Sequence, residues 1–149
     1  MTARDILRQK RPVLHSVAPD APLIEAARRL RLRDVGALLV LEGEALVGIV
    51  SERDVVRAVA ESGALALARP VRLEMSTPVE TCESGDGVRS LMARMTARRI
   101  RHLPVVEDGR VVGVVSIGDV VKSRVDEVQG EAAVLRDALT VRWASSLAA

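Results

Sequence analysis

The sequence contains no Phe or Tyr and a single Trp, so any core must be built from Val, Leu, Ala and Ile. The same absence removes the aromatic platform on which single-stranded nucleic acids stack. One cysteine, Cys82, excludes an internal disulfide and fits a reducing cytosol. Two histidines and that cysteine are too few to assemble a His/Cys metal cluster. No stretch approaches the roughly 20 apolar residues of a membrane helix, and five of the first eleven residues are charged. Neither sign of charge dominates: 22 Lys and Arg stand against 20 Asp and Glu, interleaved along the chain, for a formal charge of +2. Without a polybasic arm, nucleic acid is a poor candidate partner. The sequence reads as a soluble cytoplasmic protein with no membrane partner.

What is present is a repeat. Residues 47 to 56 read VGIVSERDVV and residues 112 to 121 read VGVVSIGDVV, with seven of ten letters identical. The offset of 65 holds upstream without a gap. Ser16-Val17 falls on Thr81-Cys82, and Leu38-Leu39-Val40 falls on Leu103-Pro104-Val105. Leu23, Ala26, Ala27 and Leu30 fall on Val88, Leu91, Met92 and Met95. Each set of four has the spacing that lines one helix face. Strand-like runs at 37–41 and 46–50, and at 102–106 and 111–115, flank turn residues. Asp108-Gly109 is a hairpin signal, because Gly tolerates the positive φ that a tight turn demands.

The pattern predicts an α/β (α+β) fold of two pseudo-symmetric β-α-β-β-α units packed as one module. A lone unit of about 50 residues would bury too little surface to stand by itself. The expected division is unit 1 at 6–63, a linker at 64–74 that crosses between the halves, unit 2 at 75–127, and a C-terminal helical extension at 128–149. The last helix is expected from Ile117 to about Thr140, with Gly130 its weak point.

Ser51-x-x-Asp54 and Ser116-x-x-Asp119 are first of all capping boxes, in which the hydroxyl accepts a free backbone N–H and the acid reaches back. Their recurrence at two related strand-to-helix junctions places both at the interface between the halves, where ligands favour clefts. Carboxylates there repel phosphate but suit the vicinal hydroxyls of a ribose. Arg53 is either a phosphate contact or a solvated helix residue. His102 beside Arg101 is either a ligand contact or a half-buried strand residue.

The doubled unit resembles a tandem pair of CBS domains over roughly residues 6 to 127. The resemblance rests on strand entry at Ser16 and Thr81, the RHLPVV strand and the Gly-h-h-Ser-x-x-Asp element, in that order twice. It implies two clefts that bind adenosyl compounds such as AMP, ADP, ATP or NAD(H). It also implies that Asp54 and Asp119 hold ribose hydroxyls and that Ser51 and Ser116 contact ribose or phosphate. Backbone groups of Gly36, Ala37 and Leu38, and of Arg101, His102 and Leu103, would read the adenine edge. The first strand lacks the counterpart of Pro104, so the second unit matches the pattern more fully.

Enzymatic readings find no support. A phosphate-binding G-x-x-x-x-G-K-[ST] loop is missing, Gly85-x-Gly87 lacks the third glycine of a dinucleotide fingerprint, and no nucleophile signature accompanies either histidine. Cys82 occupies a strand position equivalent to Val17, which suits a small buried residue. The expected function is a regulatory module with no required cofactor, an adenine nucleotide as its ligand, and an unidentified protein target. The alternative is a ligand-free scaffold for dimerisation or docking. Val121, Val125, Val128, Ala132, Leu135 and Leu139 form an apolar stripe beyond the repeat. It is covered either by a second copy, making a homodimer, or by folding back on Ile6 and Leu7.

Overall fold

The computed structural model describes residues 1–11 and 13–147, with side chains as far as Trp143. Helix α1 (Ala3–Lys10) leads into the first unit, which comprises β1 (Ser16–Val17), α2 (Leu23–Arg33), β2 (Ala37–Glu42), β3 (Ala45–Ser51) and α3 (Glu52–Ser62). The second unit repeats the order as β4 (Cys82–Glu83), α4 (Val88–Arg98), β5 (His102–Glu107), β6 (Arg110–Ser116) and α5 (Ile117–Leu147). Each unit holds a three-stranded sheet in which the short first strand runs parallel to the second and the hairpin supplies the third. The repeat extends to the register. Leu39 faces Ile49 as Pro104 faces Val114, and each hairpin shifts register at the same point, after Val40 and after Val105. Asp108 and Gly109 close the second hairpin with φ of 50° and 75°, the left-handed pair that a two-residue turn needs.

Apolar periodicity becomes two cores. Val17, Leu23, Ala26, Leu30, Leu38, Val40, Val50 and Ala58 form the first, and Cys82, Val88, Leu91, Met95, Leu103, Val105, Val115 and Val120 the second. Each core is completed by a segment that precedes the other unit. From α1, Ala3, Ile6 and Leu7 enter the second core, and the N–H groups of Ala3 and Arg4 bond the carbonyls of Asp86 and Ser84, each at 2.9 Å. The linker expected at 64–74 to cross between the halves packs on the first unit, with 3₁₀ turns at Gly63–Ala68 and Val71–Leu73. Their apolar Ala66 and Val71 are fully buried there. The Val71 and Arg72 N–H groups bond the carbonyls of Ala21 and Pro19, at 2.8 and 2.9 Å. Ala21 and Pro19 are the repeat equivalents of Asp86 and Ser84.

Helix α5 runs without a break through Gly130, where an added Cβ would meet nothing within 4 Å. Its first turns pack inward through Val120 and Ser123. The apolar stripe does not fold back on Ile6 and Leu7: Val121, Val125 and Val128 are each 47% exposed, and Leu135 and Leu139 more so.

Candidate functional site

Both Ser-x-x-Asp elements form the expected caps. Ser51 N–H donates to Asp54 Oδ2 at 2.8 Å and Asp54 N–H returns to Ser51 Oγ at 3.4 Å. Ser116 and Asp119 do the same at 2.8 and 3.2 Å. Strand ends supply a further partner for each helix start: the Glu52 N–H bonds Gly36 O at 3.1 Å and the Ile117 N–H bonds Arg101 O at 2.8 Å. Each second-strand start is thereby fixed against its own Ser-x-x-Asp corner, bringing the repeat's two polar elements together.

Two cavities open at these corners, and both draw on both units. The first, of about 310 Å³, is lined by Gly36, Ala37, Ser51, Arg53 and Asp54 from unit 1 and by Arg99, Arg101 and His102 from unit 2. Arg57 joins them, donating to Asp54 Oδ1 at 3.0 Å. Asp54 is only 5% exposed, and four arginines, Arg53, Arg57, Arg99 and Arg101, line the same cavity. Such a lining can offer carboxylate acceptors to hydroxyls and bidentate donors to an anion.

The second cavity, of about 440 Å³, is lined by Lys10, Arg11, His15, Asp34, Gly36, Ala37, His102 and Ser116 among others. Asp119 is not among its lining residues and, like Asp54, it is already paired. Lys10 reaches from α1 to donate to Asp119 Oδ2 at 2.7 Å. Burial works to raise the Asp119 pKa, but hydrogen bonds from Lys10 and Ser116 outweigh it and hold the carboxyl below its ordinary range. His102 stands between the two cavities and lines both, its ring so close to Gly36 that a Cβ there would come 3.0 Å from Nε2. Burial, then the Lys10 charge, lowers the His102 pKa, against the pull of Asp119 and Glu52.

Of the residues singled out from sequence, Gly36, Ala37, Ser51, Arg53, Asp54, Arg101, His102, Ser116 and Asp119 therefore gather at the two corners. Arg101 lines the cavity of Asp54 and not the second cavity, which its own unit's Ser116 lines. Leu38, Leu103 and Pro104 are buried in the sheets, and neither they nor Ser16 and Thr81 line either cavity. The Ser16 and Thr81 carbonyls accept from Arg29 and Arg94 instead. Arg57, Arg99 and Lys10 are additions from the structure. Arg57 lies one helical turn from Asp54 and Arg99 two residues from Arg101, so both had a local signal; Lys10 lies 109 residues from Asp119 and had none. Among the described residues, no group of three His, Cys, Asp or Glu could hold a metal ion, and no helix is long and apolar enough to cross a membrane.

Comparison with known proteins bears on the fold and the family. A CBS-domain containing protein from Agrobacterium tumefaciens superposes with a TM-score of 0.81 at 40% identity, over 83% of this chain and 99% of that one. A CBS domain protein from Pyrobaculum aerophilum, solved in complex with AMP, superposes with a TM-score of 0.71 at 32% identity, over 80% and 89%. A mitochondrial CBS domain-containing protein of Arabidopsis thaliana is 36% identical over 117 residues, which are 75% of this chain but 57% of that protein. The family model of the CBS domain matches residues 3–61 and 69–126, and with two such matches over most of its length the chain belongs to the CBS domain family.

Proposed function

We propose that the chain is a cytoplasmic regulatory module that senses an adenine nucleotide, without catalysis of its own. The observation that carries this reading is the cavity of Asp54, lined both by a carboxylate fit for ribose hydroxyls and by Arg53, Arg57, Arg99 and Arg101, fit for phosphate. The Pyrobaculum relative, which holds AMP, supports the same ligand class. Because the cavity draws on both units, a nucleotide in it shifts their relative arrangement by whatever preference it has between the two states. The output is a change of shape or partner affinity, delivered by a homodimer to a protein target.

Sequence alone favours the Asp119 cleft, whose strand matches the family more fully. Both carboxylates are ion-paired, so the arginines that line the Asp54 cavity decide in its favour, because guanidinium groups bind phosphate bidentately. Titration calorimetry with AMP, adenosine, ATP and NAD(H) tests the reading. AMP is expected to bind more tightly than adenosine, Arg101→Ala to narrow that gap, and Asp54→Ala to weaken both. If none of these compounds binds, Ser51 and Asp54 are helix caps only and the chain is a scaffold.

A further inference from the structure

We propose that α5 pairs with α5 of a second copy as a parallel, in-register two-stranded coiled coil. Val121, Val125, Val128, Ala132, Leu135 and Leu139 are separated by 4, 3, 4, 3 and 4 residues, the alternation of a and d positions in a 3.5-residue repeat. The seam spans about 27 Å of helix. No charged residue interrupts it, and its large members are 47% to 65% exposed. It faces away from the chain's own body: the inward contacts of α5 are made by Val120 and Ser123, about a third to nearly half a turn round the helix. Gly130 falls at the outermost heptad position, where the absent side chain costs the seam nothing. The family match ends at residue 126, so most of the seam lies beyond the CBS pair.

The flanking charges select the occupant and its direction. With Val125 at a, Arg124 and Glu131 take g positions, and Lys122, Gln129 and Arg136 take e positions. In a parallel pair each g residue meets the e residue five places on in the other helix. Glu131 then meets Arg136 of the second copy, twice by symmetry, and no like charges meet. An antiparallel pair that buries all six seam residues sets Val121 against Leu139. It places Glu131 beside Glu131 and Lys122 beside Arg136, all like-charged. A second copy of this chain in parallel therefore satisfies both the apolar and the charged pattern.

The proposal rests on the homodimer reading, and its test separates the two. Light scattering on the full chain should give the mass of two copies. Leu139→Cys should form an intermolecular disulfide under mild oxidation, since the parallel register sets the two positions side by side, whereas the antiparallel one sets them about 27 Å apart. Glu131→Arg should raise the dimer dissociation constant about tenfold, and adding Arg136→Glu should restore it. A single-chain mass overturns the homodimer together with the pairing. A dimer that forms no cross-link at 139, or that survives Val128→Glu with Leu135→Glu unchanged, overturns the pairing alone.

Discussion

The side chain of Leu7 lies on Gly113 so closely that a Cβ on the glycine would come 2.6 Å from Leu7 Cδ2. Met75 covers Gly48, the repeat-equivalent glycine of β3, in the same way. In each unit the hairpin's last strand needs a glycine because a segment from outside that unit must lie flat on it. The two units are thus joined by exchange of their leading segments.

Gly113→Ala is accordingly expected to destabilise the fold by roughly 1–3 kcal/mol through overpacking. Gly48→Ala should cost less, because the Met75 thioether can move aside where the branched Leu7, 6% exposed, cannot. Leu7→Ala, which empties the same contact, should cost about 2–5 kcal/mol. Urea midpoints for the three variants check the order; equal losses at the two glycines would show that side-chain flexibility does not set the cost.

Lys10, which lines the second cavity, is paired with Asp119, which does not; the pair is partly exposed, at 43% and 23% for the two side chains, and is worth at most about 1 kcal/mol. A ligand's hydroxyls can displace it at that cost. Calorimetry should therefore find a second, weaker nucleotide site, and Lys10→Met should tighten it by up to about fivefold. Loss of the weaker site in that variant would make Lys10 a ligand contact instead.

The contrast between Lys10 and Asp54 shows how far the sequence can be read. Ser51 to Asp54 is a local device, so spacing alone places it at a helix start, and the 65-residue offset places its twin. The stripe from Leu23 to Leu30 and the turn at Asp108-Gly109 are equally local, and helix and hairpin appear where expected. Ile6, Leu7, Ala66 and Val71 are visibly apolar, but which core they enter depends on the path of the chain between units. That path also decides that Arg101 faces the cavity of Asp54. Local chemistry was legible; the exchange between halves was not, because no short-range pattern encodes it.

Burial, helped by Asp86 and opposed by Arg94, pushes the Cys82 thiol up to about 11. With only 3% of the residue exposed, the thiolate is both scarce and shielded at neutral pH. Ellman's reagent should leave the native protein unmodified over the time in which it titrates one thiol per chain in 6 M guanidinium. Rapid native modification would place Cys82 at a surface that opens readily.

His102 should give the fold a measurable dependence on mildly acidic pH. Its ordinary value is 6.5, and burial between the two cavities, with Lys10 and Arg101 close by, lowers the folded value despite Asp119 and Glu52. Below pH 6.5 the unfolded chain then binds a proton that the folded imidazole refuses, so stability falls as pH drops through that point and levels off once pH passes the folded value. His102→Gln should keep a half-buried polar side chain at the site while removing the titration. Urea midpoints for both proteins at pH 8, 7, 6 and 5.5 test this: wild type should lose stability between pH 7 and 5.5, and the variant should lose less. Parallel decline in the two would assign the slope to other groups and leave the His102 ring without influence on folding in this range.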